Sequence, residues 1–347
     1  MGNERGRFSY LRYKQAKDGG TRLSLYTWIV EIDDEKIYHH HTPRFYLLPW
    51  ADAAERLMWL GYGKIIRSKV TVVGGENDFY RLRELTSKDI FLMREFIKQL
   101  PELGRKGHEQ LLEWFALPPA LKSYLERIGR TDSDSIRVVD AAISNLNENY
   151  HTSIENSFRP YLDAMLKGDA SFYNEDQSAM EFLRGLSVQI LRTKAVKDRA
   201  VKHVKGLFED IERVWPIISH ILAVTMGGSF FVDRKRFKIV LIDNHTQVPF
   251  ITSDQPIINL LSPAYSFDVP EKVELYYPIS PTKAMLYLEQ ENPAHASSPS
   301  ISTDEAHAYN VLIADHSGQQ IFSNSEEYLK IIKKYIEGRR QLAAIPD

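Results

Sequence analysis

From Ser87 to Met226 the apolar residues recur every three to four positions, and on both sides of that stretch the pattern is that of strands. Ile90, Met93, Phe96 and Ile97 set the helical period first. Leu111, Leu112 and Phe115 repeat it, and Ile154, Phe158, Tyr161, Leu162 and Met165 sustain it. Breaks are expected at Leu117-Pro118-Pro119, from Gly129 to Ser135 and from Gly168 to Asp176, which divides the middle region into five or six helices. A helical block between two strand-forming ends points to an α+β fold whose sheet is completed by distant segments.

In the first third, Arg22 to Ile32 and Lys64 to Val73 are dense in β-branched and aromatic residues, and turn chemistry follows each at Asp33-Asp34 and Gly74-Gly75. A short helical stretch is expected from Ala51 to Leu60, closed by Gly61. In the last third, Phe237 to Ile242 and Pro249 to Ser253 flank the hairpin-like Asp243-Asn244-His245-Thr246. Val273 to Tyr277 and Ala284 to Leu288 are joined by Pro278 to Thr282. A helix after Ser302, a strand near Gln320 to Ser323 and an amphipathic helix from Ser325 complete the chain. The linkers among the four C-terminal strands are too short for crossover helices, so one mostly antiparallel sheet is expected, joined by Ile65 to Val73. The central helices would pack on one side of it. The expectation is a single composite domain: a β-rich part at 22–80, helices at 87–226, a second β-rich part at 230–323 and a terminal helix at 325–347.

Composition excludes several classes. In 347 residues, 44 Lys and Arg balance 46 Asp and Glu, so the surface as a whole does not attract nucleic acid. With no cysteine there is no disulfide, thiolate metal site or cysteine nucleophile. The greasiest segment, Val214 to Met226, contains Pro216 and His220 and falls short of the about 20 residues a bilayer needs, so it reads as a buried helix. The N-terminus has no apolar run of signal length. A cytoplasmic protein without membrane contact is the resulting expectation.

Five blocks occur in an order that resembles a family of uncharacterised bacterial proteins, domain of unknown function 4238. They are His40-His41-Thr42-Pro43-Arg44-Phe45-Tyr46-Leu47, Glu76-Asn77-Asp78-Phe79-Tyr80, Ile154-Glu155 with Gln189-Ile190-Leu191-Arg192-Thr193, Phe250 to Pro256, and Pro278 to Pro281. His41 stands where the family pattern usually has an aromatic residue. The resemblance spans about residues 38 to 323 and implies a shared fold, with no reaction attached.

The candidate site residues come from these blocks. His40 can act as acid or base near neutrality, or tie a proline-containing turn to backbone carbonyls. Asp254, past a strand end, could ligate a metal, orient His40 or serve its own turn with Ser253. Gln189, Arg192 and Thr193 share one side of a helix, where Arg192 could grip a phosphate or pair internally with Glu155. The segment 192–205, with Lys197 within it, reads either as a phosphate-tracking strip for nucleic acid or as a solvated helix face. A divalent metal has no supporting ligand spacing, and no P-loop, dinucleotide-binding, zincin or nucleophile-elbow motif occurs. The functional expectation is a phosphoester hydrolase acting on RNA or another phosphate-containing substrate. In it His40, Glu155, Arg192 and Asp254 are catalytic, and Gln189, Thr193, Lys197 and Ser253 bind substrate. The alternative is a non-catalytic binding module in which the same polar residues form a scaffold and the surface serves a protein partner.

Overall fold

The structure, a computed structural model, describes residues 35–203, 210–264, 271–293 and 300–343. The strand expected at Arg22 to Ile32 lies outside them. The chain enters through β1 (Tyr38–His40), a short α1 (Arg44–Leu47) and the hairpin β2 (Arg56–Gly61) and β3 (Lys64–Lys69), then β4 (Gly75–Asn77). The stretch Ala51 to Leu60 is therefore largely a strand and not a helix. Its apolar residues alternate between two cores, with Leu57 and Trp59 in one and Met58 and Leu60 in the other. A two-residue turn at Tyr62 and Gly63, with φ of +51° and +72°, supplies the twist that an antiparallel hairpin requires.

Six helices follow: α2 (Ser87–Gln99), α3 (Arg105–Arg127), α4 (Ser133–Leu166), α5 (Asp176–Leu191), α6 (Lys194–His203) and α7 (Ile211–Val232). α2 opens on a capping box in which Thr86 accepts from the Asp89 amide and Asp89 accepts from the Thr86 amide. The break expected at Leu117-Pro118-Pro119 is absent, because α3 runs straight through both prolines. Each interior proline costs about 3 kcal/mol. The buried stripe His108, Leu112, Phe115 and Pro119 packs on both sides of that cost, and packing holds the helix together. α7 is long and apolar enough to cross a membrane by length and composition. Val214, Trp215, Ile217, Ile218 and Ile221 nevertheless lie buried in a core shared with Met93, Ile97, Leu112 and Phe115.

The C-terminal part contains β5 (Phe237–Asp243), β6 (Thr252–Ser253), β7 (Ile258–Asn259), β8 (Leu275–Ser280), β9 (Lys283–Glu289), α8 (Thr303–His316), β10 (Ile321–Ser323) and α9 (Glu326–Ala343). The strands pair antiparallel, with one isolated parallel bridge from Asp243 to Ser300, and among the described residues they divide into two four-stranded sheets, β3-β2-β10-β6 and β5-β9-β8-β7, plus the pair β1-β4. The expected hairpin of Phe237–Ile242 with Pro249–Ser253 does not form, and Ile65 joins a different sheet from Phe237. Asn244 bends the chain by accepting from Thr246 N (3.0 Å) and donating to Val248 O (2.7 Å). β5 then takes β9 as its partner along seven residues, while β6 pairs with β10.

β8 and β9 are covered on both faces. Leu275, Tyr277, Ile279, Met285 and Tyr287 meet Phe158, Leu162, Phe182 and Leu186 of α4 and α5. Tyr276, Ala284, Leu286 and Leu288 meet Ala306, Ile313, Leu329 and Ile332 of α8 and α9. The N-terminal block is pinned to this layer by three buried bonds. Tyr46 Oη donates to Pro278 O (2.6 Å), Thr252 Oγ1 donates to Tyr46 Oη (2.6 Å), and Trp50 Nε1 donates to Phe250 O (2.9 Å).

Candidate functional site

The three consecutive histidines do three different things. β1 pairs with β4 so that His39 lies opposite Glu76 and His40 opposite Gly75, and alternation sends the first two rings to opposite sides. Close approach demands glycine here, since a Cβ on Gly75 would lie 2.5 Å from His39 O. His39 receives the Tyr80 N–H on Nδ1 (2.9 Å), so its Nε2 carries the proton and donates to Lys36 O (3.0 Å). Both nitrogens are bonded in a buried ring, and burial holds its pKa below the usual histidine value. His41 is buried against Phe79, and burial together with the Arg192 charge drives its pKa down to about 3. His40 has a buried Nε2 with no hydrogen-bond partner among the described residues. Burial and then Arg192 lower its pKa as well.

Arg192 caps the C-terminus of α5 and is 2% exposed. Its Nη1 donates to Glu155 Oε1, its Nη2 donates to the carbonyl oxygen of His40, and its own carbonyl accepts from Tyr80 Oη (2.7 Å). Burial opposes the guanidinium charge, but Glu155, Tyr80 and Glu148 outweigh it and raise the pKa further. The internal Arg192–Glu155 pair weighed from the sequence is thus formed, and Arg192 grips the backbone of His40 rather than its ring. Nε is left without a partner among the described residues.

Around this guanidinium lie groups not singled out from the sequence. Glu148, His151 and Glu155 stand three and four residues apart on one face of α4. Burial raises the Glu148 pKa, with Arg192 and the His40 N–H pulling partway back, and its Oε2 has no partner among the described residues. His151 is 2% exposed with neither ring nitrogen bonded among the described residues, its ring 4.6 Å from Tyr80 and 4.8 Å from His220. Burial, then Arg192, holds it neutral. His220 donates from Nε2 to Asn147 Oδ1 (2.6 Å), a direction fixed because Asn147 Nδ2 donates to Pro216 O (3.0 Å). Burial takes its pKa to about 3. Gln189 is buried with an unpartnered Nε2. Among the described residues no three His, Asp or Glu side chains are arranged to hold a metal ion.

Asp254 has another task. Its Oδ1 accepts from Gly318 N (2.8 Å), and its Oδ2 accepts from Gln319 N (2.6 Å) and Gln320 N (3.1 Å). Gln320 Oε1 in turn accepts from Gly74 N (2.8 Å). The carboxylate therefore fastens the entry to β10 and, through Gln320, the turn beside the histidines; none of its bonds goes to the His40 ring. Burial raises its pKa against the pull of those amides. Replacing it with Asn leaves at least one of these amides facing another donor at a buried side chain, and a stability loss of about 1–3 kcal/mol is expected in urea denaturation. A wild-type midpoint would refute this fastening role.

The remaining predicted binders are mostly committed locally. Ser253 Oγ bonds Gln255 N and O, and Thr193 Oγ1 donates to Ile190 O (3.1 Å). In the basic segment, Lys194 pairs with Glu76 (3.2 Å) and Arg199 donates to Gln255 Oε1, while Lys202 is exposed and Lys205 lies outside the described residues. Lys197 differs. Its Nζ sits 4.9 Å from the centre of the Phe79 ring, the ring His41 also touches, and it has no carboxylate partner among the described residues. Burial lowers its pKa.

The profile of a family described as "Protein of unknown function (DUF4238)" matches residues 38–327. No curated protein and no solved structure matches the chain.

Proposed function

We propose for this chain, which belongs to the protein family of unknown function DUF4238, a hydrolase activity on a phosphate-containing substrate at the centre around Arg192. One observation carries the reading. Beside one guanidinium lie a histidine held toward neutrality and a carboxyl pushed toward protonation, each with a buried polar atom that has no partner. Environments that shift an acid and a base in this way assign their roles. His40 takes a proton from water as its oxygen attacks phosphorus, and Glu148 gives its proton to the leaving oxygen as the ester bond breaks. Arg192, held by Glu155, is a positioning residue that fixes His40 through its carbonyl. The charge that meets the phosphate falls to Lys197, whose ammonium lies against the Phe79 ring and has no acid partner among the described residues. RNA fits as a substrate through its phosphodiester.

The rate requires neutral His40 and protonated Glu148. It should rise through a His40 pKa lying below its usual value and fall through a Glu148 pKa lying above its usual value, giving a bell with its optimum on the acid side of neutrality. Chromogenic phosphomonoesters and phosphodiesters and single-stranded RNA are the substrates to assay. His40→Ala and Glu148→Gln, folded as judged by circular dichroism, should each lose about a hundred- to ten-thousandfold in turnover. Glu148→Gln should also remove the alkaline limb. Wild-type rates no higher than those of His40→Ala on every substrate would overturn the proposal.

The second reading is the non-catalytic module, favoured by the internal commitment of Arg192 and Asp254. In it the same groups tie helices, N-terminal block and C-terminal strands together, and only stability responds to mutation.

A further inference from the structure

We infer that two copies of this chain pair through the outer face of α3, antiparallel about a two-fold axis passing between Ala120 and Leu121. The buried stripe of α3 faces the core, yet the opposite side is not polar. Leu117, Leu121, Tyr124 and Ile128 are each 40–49% exposed and are spaced by four, three and four residues, the spacing of a helix-pairing seam. Isolated exposed apolar residues need no explanation, but a regular line of four along one helix is a surface suited to burial.

The occupant is identified by self-complementarity. A two-fold between residues 120 and 121 sets Leu117 against Tyr124, an apolar pair, and Leu121 against the small Ala120, which leaves it room at the axis. The same axis brings Glu113 of one copy beside Arg127 and Ile128 of the other. Glu113 is 67% exposed, with its only described pairing a long 3.9 Å contact to Arg94. Arg127 is exposed and has no carboxylate partner among the described residues; it rests over its own Tyr124 at 5.9 Å. A parallel arrangement would instead set Glu113 against Glu113 and Arg127 against Arg127. Size and charge thus agree on one partner and one orientation.

The seam from Glu113 to Ile128 is about 24 Å long at 1.5 Å per residue. A single helix pair of that length buries less than the roughly 1,200–2,000 Å² of a stable interface, so the dimer should be weak and concentration-dependent. Sedimentation equilibrium tests this directly. The wild type should pass from monomer to dimer as concentration rises, and Leu121→Glu should remain monomeric with unchanged circular dichroism. Glu113→Arg should weaken association about fivefold to tenfold, and the double variant Glu113→Arg/Arg127→Glu should restore it. The chain has no cysteine, so introduced thiols report register unambiguously. Under a mild oxidant, a mixture of Leu117→Cys and Tyr124→Cys should form disulfide-linked dimers faster than either variant alone. A wild type monomeric at every concentration, a charge swap that fails to restore association, or equally fast crosslinking of Leu117→Cys with itself would overturn the inference.

Discussion

Replacing Arg192 with alanine is expected to cost about 3–5 kcal/mol of folding stability, the usual consequence of removing one member of a buried ion pair. The side chain is 1% exposed and Glu155 only 23%, so water cannot take over the lost contacts. The substitution strands the Glu155 carboxylate and the His40 carbonyl together, and it leaves a void where a large side chain stood. Arg192→Lys should recover little, because a compact ammonium cannot bridge a carboxylate and a carbonyl as the planar fork does. Glu155→Gln combined with Arg192→Ala should cost less than the sum of the separate losses, since each single change already breaks the same pair. Urea denaturation measures all three. A loss below about 1 kcal/mol for Arg192→Ala would show that the pair is not a structural tie.

Acidification is expected to destabilise the protein steeply below about pH 6.5, the ordinary histidine pKa. His41 and His220 have folded-state values of about 3 because burial disfavours the imidazolium. A base whose folded pKa is depressed contributes full stability above its unfolded pKa and loses it as pH falls. At about pH 5 the unfolded chain has bound both protons and the folded chain neither, which costs about 2 kcal/mol per histidine and about 4 together. His39, His40, His108 and His151 shift in the same direction. Glu148 and Asp254 act oppositely, because their raised values favour the folded state as they protonate, but they are two groups against six. Calorimetry between about pH 7 and pH 5 checks the slope, and His220→Asn should reduce it. A flat profile would mean that the buried imidazoles are wetter than their packing shows.

The helical period between Ser87 and Met226 was legible because each helix buries one long stripe, and the β8–β9 hairpin because its two runs are dense and close in sequence. The strand at Arg56–Gly61 was not, since so short an apolar run suits a helix or a strand equally. β6 and β10 fall within strands expected at Pro249 to Ser253 and near Gln320 to Ser323, but at two and three residues they carry no period that sets their partners. Their pairing is decided by Asp254 reaching amides 64 to 66 positions away. The same distance hid the role of Asp254 in a turn-like Ser-Asp-Gln-Pro block. Arg192–Glu155 was visible as one of two alternatives, because a guanidinium beside a core stripe must find a partner. Its grip on the His40 carbonyl involves backbone and leaves no mark on residue type. Glu148 and His151 did leave one, the three- and four-residue spacing to Glu155, but it merges with the polar face of an amphipathic helix.

The proposal rests on His40 standing as a neutral base beside Arg192, with a buried ring nitrogen that has no partner among the described residues and could accept from a phosphate. Nitrogen-15 NMR of the imidazoles, followed against pH and then against added inorganic phosphate, tests it most directly. The expected result is a His40 ring that stays neutral below the ordinary histidine range and whose resonances shift saturably with phosphate. His39, bonded at both nitrogens, should not respond. A His40 that titrates like an exposed histidine and is indifferent to phosphate would contradict the account.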